Sequence, residues 1–441
     1  MTAPVRRAGV FAALCTLSLA VPLFGPRVGA AVAGVVLLGA YVVPDGPLFD
    51  LLAYPGDYED SRLYGLITFV LAGVALGLIA TATSMPVAVF VGTILLVGYG
   101  NLGEQLVRLR TENAVVRVGG FCLVAIAAAV AGQTVTHTLT GNTAASAVPV
   151  LVFLAASGAL LAALLRDVLL RSDDPIVVLA VGLLLWLLAE LEPGIATGEI
   201  VIALAVTVAF GYASYALETA SIAGMLTGVL LGLLTIVLGG YSWFAVLISF
   251  FAIGGLSTKF RYDRKEALGV AEDNNGARGS GNVLGNAAVA LAAVLGYAAS
   301  DAALLPHEPD LFLFAFAGSI ATAMSDTLSS EIGSVFERPR LITTLEPVDP
   351  GTDGGVTWQG ELAGIVGAAV VAGIAYGLFP EVELVGAAVI VAAGVVGMTV
   401  DSLLGATLEG TLLGNQGVNF LATLSGALVG ALLVLSFAVL G

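Results

Sequence analysis

Long apolar runs recur along the whole of this sequence, and they constrain the fold more than any other feature. About fifteen runs have the roughly 17 to 25 residues that a helix needs to cross the hydrocarbon core of a bilayer. Short polar or Gly/Pro-rich segments separate the runs, and stretches such as 362–378 are apolar on both alternating faces, unlike barrel strands. The sequence therefore predicts an all-α, polytopic integral membrane bundle of about fifteen transmembrane helices.

The composition agrees with residence in lipid. Hydrophobic residues make up 58% of the chain and charged residues 11%, and the mean hydropathy of +1.02 is far above that of soluble domains. The predicted spans are 8–25, 27–44, 64–83, 85–103, 115–132, 147–165, 175–191, 198–215, 220–238, 240–258, 282–300, 311–327, 361–379, 382–399 and 419–440.

The basic residues predict which side of the membrane each loop faces. With the N-terminus inside, nearly every Lys and Arg lies at an inside loop or span end, and Arg27 is the exception. We therefore expect a multi-pass protein of the cell membrane with its functional loops in the cytoplasm. The net charge of −16 with only two lysines suits a very salty cytoplasm, as in a halophilic archaeon. Such an acidic surface excludes nucleic-acid binding.

The cysteines and histidines are not expected to take part in catalysis or metal binding. Cys15 and Cys122 lie inside predicted spans, where a cysteine is most often a small packing residue, so we expect no disulfide and no metal site there. His137 and His307 lie in predicted outside loops, away from the polar clusters, and are not expected to be catalytic.

The loops divide the chain into two predicted domains. In residues 1–215 they are short and chemically plain, so this part is a membrane helical region of unknown role. In residues 216–441 three inside loops are long and mix Gly, Asn, Ser, Thr, acidic and basic residues. Function in membrane proteins concentrates in such polar residues, so the active site is expected in the second domain.

The first long loop, 257–286, combines basic groups with a pair of asparagines. Asn282 and Asn286 are four residues apart at a helix start and share one face, where they would orient a substrate. Taken alone, this segment is better explained as an anchoring basic loop with an asparagine cap. The residues expected to neutralise phosphate groups are Lys259, Arg261, Lys265 and Arg278.

The second and third loops supply carboxylates and glycines. Asp326 and Asp401 each follow an apolar span, a costly place for an unbound charge. Glu331 is rotated by about 140° from Asp326 on a regular helix, so both bind metal only if the helix breaks near Gly333 or if two ions are used. The three carboxylates would bind a divalent cation. A glycine-rich turn is formed by Gly351, Thr352, Asp353, Gly354 and Gly355. Its backbone amides would bind phosphate, or it is a plain turn.

Four motifs in this order resemble the domain of unknown function 92 family, also called the transmembrane protein 19 family. They are Gly-Asn-Val-Leu-Gly-Asn (281–286), Ser-Asp-Thr-Leu-Ser-Ser-Glu-Ile-Gly (325–333), Gly-Thr-Asp-Gly-Gly-Val (351–356) and Asp-Ser-Leu-Leu-Gly-Ala-Thr-Leu-Glu (401–409). The family includes the phytyl-phosphate kinase of plant tocopherol synthesis and is distantly similar to dolichol kinases and membrane cytidylyltransferases. The resemblance implies a Mg²⁺-dependent kinase that uses a CTP-type or other nucleoside triphosphate to convert an isoprenoid lipid phosphate to its diphosphate.

Two alternatives remain open at this stage. A transporter would use the carboxylates as cation sites, although the charged residues cluster at one mouth of the bundle and not at its midplane. A lipid cytidylyltransferase would share nearly all the chemistry and differ in releasing pyrophosphate. The expected partners are therefore a nucleotide, an isoprenoid lipid phosphate and membrane lipids.

Overall fold

The computed structural model describes residues 3–54, 56–141, 148–169, 174–269, 278–306, 308–336 and 338–440. His307 lies outside these ranges, as do residues 270–277 of the first long loop. Two compact units make up the chain, Met1–Ile202 (the N-terminal unit) and Ala203–Gly441 (the C-terminal unit). The division between the two units falls inside the helix Thr197–Ala216. The domain boundary expected from the sequence, 215/216, lies in the last turn of the same helix.

The described residues of the first part of the chain are helical almost throughout. The helices up to this division are α1 (Ala3–Cys15), a 3-10 turn (Thr16–Leu19), α2 (Ala20–Phe24), α3 (Pro26–Val42), α4 (Gly46–Leu52), α5 (Asp57–Asp60), α6 (Tyr64–Ala82), α7 (Val87–Arg108), α8 (Ala114–Leu139), α9 (Val148–Val168), α10 (Asp174–Glu190) and α11 (Thr197–Ala216).

The C-terminal unit adds a short hairpin to its helices. Its further elements are α12 (Ile222–Gly239), α13 (Tyr241–Ser257), α14 (Tyr262–Leu268), α15 (Ser280–Asp301), α16 (Pro309–Gly333), β1 (Arg340–Leu341), β2 (Gly355–Val356), α17 (Trp358–Leu378), α18 (Leu384–Leu408) and α19 (Asn415–Leu440).

All fifteen predicted spans coincide with helices, and the integral membrane helical fold is confirmed. Within the described ranges, twelve helices are long and apolar enough to cross a membrane. The number rises to 14 if α3 with α4, bent by 114°, and α13 with α14, bent by 62°, each form one broken span. The remaining predicted span corresponds to α10, whose 17 residues are at the short limit for crossing. The side of the membrane that each loop faces stays a prediction.

Helix α7 forms the interior of the N-terminal unit. Its residues from Ala88 to Gly98 are buried against α1, α8 and neighbouring helices. Cys15 packs against Gly98, as expected of a small packing residue. Where α7 crosses α8, a Cβ added to Gly103 would lie 2.6 Å from the carbonyl oxygen of Gly120. Small residues therefore bring these two helices into close backbone contact.

Helix α16 is the centre of the C-terminal unit and packs against α13, α15, α17, α18 and α19. Glycines make this possible, since Thr322 of α16 lies directly against Gly397 of α18 and Gly426 of α19. On the α17 side, Ser325 donates a hydrogen bond to the carbonyl oxygen of Gly364 at 2.8 Å. The glycines of α17 thus serve tight helix packing.

A short antiparallel hairpin interrupts the all-α pattern between α16 and α17. Arg340 pairs with Val356 and Leu341 with Gly355. Ile342 extends the contact by donating its N–H to the carbonyl oxygen of Gly354 at 3.0 Å. The hairpin closes the loop that carries the glycine-rich turn and so fixes the turn relative to the helix ends.

Candidate active site

A polar cavity of about 370 Å³ lies at one end of the C-terminal unit. Its walls come from the first turns of α15 and α19, from the last turns of α16 and α18, and from residues 350–357, which lead into α17. Antiparallel neighbouring helices place these five ends together, so the three polar segments of the sequence meet in one place.

Most of the residues expected from the sequence line this cavity. Eleven of the fourteen do so: Arg278, Asn282, Asn286, Asp326, Glu331, Gly351, Thr352, Asp353, Gly354, Gly355 and Asp401. The other three do not: the bend before α14 carries Lys259 and Arg261 elsewhere, whereas Lys265 of α14 contacts the lining residue Glu331. The ammonium group of Lys259 lies 6.0 Å from the ring centre of Tyr262, and exposed Arg261 stacks on Phe260 at 5.6 Å.

Two carboxylates face each other in the cavity. Asp326 of α16 and Asp401 of α18 lie within hydrogen-bonding reach of each other. Oδ1 of Asp401 is buried and has no hydrogen-bond partner among the described residues. Two adjacent carboxylates repel unless a proton or a cation lies between them, which makes the pair a candidate cation-binding site.

The pair lies deeper than the hydropathy predicts. The sequence places Asp326 and Asp401 at span ends, but α16 continues to Gly333 and α18 to Leu408. Each aspartate is therefore seven residues, or about 10 Å along the axis, inside its helix.

Glu331 does not join the two aspartates. Its carboxylate forms a salt bridge with Lys265 of α14, and both side chains are buried. Lys265 also donates to the carbonyl oxygens of Ser257 at 3.3 Å and Thr258 at 3.2 Å. Because α16 stays regular to Gly333, Glu331 points away from Asp326, as helix geometry requires.

The three carboxylates Asp326, Glu331 and Asp401 are therefore not placed around a single cation. Among the residues that the structure describes, no group of three or more His, Cys, Asp or Glu side chains is placed to hold a metal ion. Mg²⁺ is commonly held by one or two carboxylates together with waters and substrate phosphates. The Asp326–Asp401 pair, with its unpartnered buried oxygen, fits that mode.

The glycine-rich turn forms another part of the cavity wall. Gly351 and Gly354 have φ values of +84° and +72°, which favour glycine. A Cβ added to Gly354 would lie 2.6 Å from the backbone nitrogen of Ala406, so the turn touches α18 directly. Thr352 uses its hydroxyl within the turn, donating to the carbonyl oxygen of Asp349 at 2.7 Å, so its predicted contact with phosphate is not preformed.

Arg278 supplies the positive charge at the cavity. Its side chain is buried, stacks at 5.2 Å on Phe250 and lies close enough to Asp326 for their charges to interact. Nearby, Asn286 donates its side-chain N–H to the carbonyl oxygen of Asn282 at 3.0 Å, so the two asparagines share a face as predicted.

Several lining residues were missed by the sequence analysis. Asn415 and Asn419 repeat the four-residue spacing of Asn282 and Asn286, and this spacing is the signal that identifies them. Glu409 lies just outside the span of α18. Partial burial, and then the neighbouring carboxylate of Asp353, raise the pKa of Glu409, while a hydrogen bond from Asn415 opposes the rise.

The comparisons with known proteins concern this same region. The family model described as "Integral membrane protein DUF92" matches residues 205–427, just over half of the chain. The chain belongs to the DUF92 family of integral membrane proteins. This confirms the resemblance carried by the four motifs, and every residue that lines the cavity lies inside the DUF92 region.

Relatives from three kinds of organism match the DUF92 region. An uncharacterised membrane protein of Methanocaldococcus jannaschii is 34% identical over 216 residues, which are 48% of this chain and 84% of the relative. An uncharacterised membrane protein of Synechocystis is 33% identical, over 43% of this chain and 73% of the relative. Protein VTE6, chloroplastic, of Arabidopsis thaliana is 33% identical, over 48% of this chain and 65% of the relative. No solved structure matches the chain.

Proposed function

We propose that this protein is a membrane kinase that phosphorylates an isoprenoid lipid phosphate to its diphosphate at the expense of a nucleoside triphosphate. The observation that carries the proposal is the half-buried Asp326–Asp401 pair beside Arg278 in a cavity walled by a glycine-rich turn. The likeness of the motifs to a family that includes a phytyl-phosphate kinase supports a lipid phosphate as the acceptor.

The reaction needs positioning and charge neutralisation more than proton transfer. An oxygen of the lipid phosphate attacks the γ-phosphorus, the bond from that phosphorus to the β–γ bridging oxygen breaks, and a nucleoside diphosphate leaves. The attacking phosphate is already an anion, so no general base is required. Any catalyst of this step must hold two groups of phosphates close together against their repulsion.

The lining residues supply the parts of such a catalyst. Arg278 would neutralise phosphate charge, Asn282 and Asn286 would orient the substrate, and amides of the 351–355 turn would bind the nucleotide. Asp326 and Asp401 would hold Mg²⁺, which neutralises phosphate oxygens when it is bound. We take the nucleotide to be of the CTP type and the cavity to face the cytoplasm.

The test is a transfer assay with the purified protein in high salt. It contains Mg²⁺, geranylgeranyl phosphate and each γ-labelled nucleoside triphosphate in turn. Wild type is compared with Asp326→Ala and with Asp310→Ala, which removes an exposed carboxylate from the other end of the same helix. Label in a lipid diphosphate, lost only in Asp326→Ala, is the expected result.

Two other results would contradict the proposal and favour another function. Release of pyrophosphate with formation of a CDP-lipid would identify a lipid cytidylyltransferase. Absence of turnover with every prenyl phosphate and every nucleotide would reject the kinase and favour transport.

A further inference from the structure

A second recess lies beside the polar cavity, between α11, α12 and α13. It is a groove of about 60 Å³ lined mainly by aromatic, aliphatic and glycine residues, among them Phe210, Gly228, Phe244, Ile248 and Phe251. Phe210 is 48% exposed, so the groove opens at the surface of the helices. In a membrane protein such a surface meets hydrocarbon chains.

The groove and the polar cavity share one residue, Arg278. On α15 just beyond it, Asn282 lines the cavity whereas Val283 lines the groove. The start of α15 thus separates a polar compartment from an apolar one, and the guanidinium group of Arg278 lies at the boundary. A Cβ added to Gly254 of α13 would be 3.3 Å from both terminal nitrogens of that group.

The backbone of Arg278 is fixed by the segment that joins α11 to α12. Its N–H donates to the carbonyl oxygen of Thr219 at 3.0 Å, and the N–H of Ser221 donates to its carbonyl oxygen at 3.0 Å. The cation is therefore held in place at the end of the groove. A fixed, buried cation between an apolar groove and a polar cavity is complementary to an amphiphile that joins an anion to a hydrocarbon chain.

We propose that the groove binds the part of the isoprenoid chain next to the headgroup and that Arg278 binds the phosphate group, which then faces Asp326 and Asp401. The rest of the chain extends out of the groove into the bilayer. This inference rests on the proposed function, because it names where the lipid substrate of that reaction binds. The nucleotide then occupies the part of the cavity along the 351–355 turn.

Gly228 offers a way to fill the groove without disturbing the helices. A Cβ added there meets nothing within 4 Å, so a leucine side chain would enter the open space. Gly373 of α17 is a matched control, since it is also a helix-interior glycine with nothing within 4 Å of an added Cβ, but it does not line the groove.

We expect Gly228→Leu to raise the KM for geranylgeranyl phosphate about 10-fold or more, because binding pockets discriminate changes of a few methylene groups by such factors. The KM for the nucleotide should stay unchanged, and Gly373→Leu should match the wild type in both. Gly228→Ala, a smaller change, should give an intermediate KM for the lipid and keeps the test informative if the leucine variant does not fold.

A second measurement is independent of turnover. A geranylgeranyl phosphate that carries a diazirine on its first isoprene unit is photolysed with the wild-type protein, and adducts are mapped by mass spectrometry. Adducts are expected on Phe210, Ile248 or Phe251 and should decrease in Gly228→Leu but not in Gly373→Leu.

The two measurements separate this inference from the proposed function. Turnover with adducts elsewhere, or with an unchanged lipid KM in Gly228→Leu, would overturn the groove assignment and leave the kinase intact. Adducts in the groove without turnover would support the lipid site and overturn the kinase. Neither adducts nor turnover would overturn both.

Discussion

The N-terminal and C-terminal units treat charge among their helices in different ways. In the N-terminal unit, Arg166 forms salt bridges with Asp174 at 2.8 Å and Glu104 at 3.6 Å and donates a hydrogen bond to Asn101 at 3.1 Å. In the C-terminal unit, Asp326 and Asp401 lie side by side. Opposite charges neutralise one another in the N-terminal unit, whereas two like charges lie together in the C-terminal unit.

The difference separates structural charges from functional ones. A compensated pair needs nothing further, and it stabilises the packing of its helices. A pair of carboxylates lowers stability unless a ligand offsets the repulsion, so a fold retains such a pair chiefly where it binds something. The pockets of the two units differ in the same way. The aspartate pair lies in a polar cavity, whereas the N-terminal unit has an apolar pocket of about 160 Å³ lined by residues such as Phe11, Phe69 and Phe90.

The largest expected effect tests this contrast directly. Asp401→Asn should lower the rate of lipid phosphorylation at least about 1,000-fold, because the amide keeps the shape and removes the charge that neutralises a bound cation. Asp174→Asn in the N-terminal unit should leave the rate per folded molecule unchanged. Initial rates of label transfer for both variants give the answer, and equal losses would remove the distinction between the units.

A second prediction concerns a charge pair in the C-terminal unit that resembles those of the N-terminal unit. Lys265→Met leaves the buried carboxylate of Glu331 without its partner and should lower the free energy of unfolding by about 3 kcal/mol. The double variant Lys265→Met with Glu331→Leu should recover most of that loss. Thermal unfolding in detergent measures both, and a single variant as stable as the wild type would show that the pair is not structural.

A smaller effect is expected from the glycine turn. Gly354→Ala must adopt a φ of +72° and places its Cβ against the backbone of Ala406, so the turn should shift and the KM for the nucleotide should rise about 10-fold. Gly141→Ala in the N-terminal unit has a similar φ of +80° and open space around it. Its nucleotide KM should equal that of the wild type. A matching rise in both variants would point to general destabilisation.

The smallest effect is a pH dependence of stability. The raised pKa of Glu409 means that its stabilising contribution is present below its unfolded-state pKa of about 4.3 and is lost as the pH rises through the higher folded-state pKa. Glu409→Gln should therefore gain stability relative to wild type as the pH rises from about 4 to 7, by less than about 1 kcal/mol because the side chain is partly exposed. Unfolding midpoints against pH, with exposed Glu59→Gln of the N-terminal unit as control, test the sign. A gain on lowering the pH would contradict it.

The helices were predictable because each apolar run has the length and composition that lipid demands. The number of spans was less predictable, because bends such as that between α13 and α14 depend on local backbone geometry. The predicted ends of two spans, 311–327 and 382–399, also came too early. Hydropathy falls at Asp326 and Asp401, yet the helical hydrogen bonds continue for seven more residues in each case.

The site was predictable as a set of segments but not as a set of contacts. Loop composition and motif order identified most of the lining residues. The salt bridge between Lys265 and Glu331 joins residues 66 positions apart, and no local pattern indicates which acid a lysine will meet. The removal of Lys259 and Arg261 from the cavity likewise follows from the bend before α14 and not from their own chemistry.

The contact of Thr322 with Gly397 and Gly426 has a consequence for how members of this family diverge. The three positions belong to three helices and share one small volume beside the Asp326–Asp401 pair. A larger side chain at either glycine would need a smaller residue in place of the threonine, or a displaced helix. Over evolutionary time the sizes of these residues should therefore change together, and pairs of compensating substitutions should be accepted where single ones are rejected.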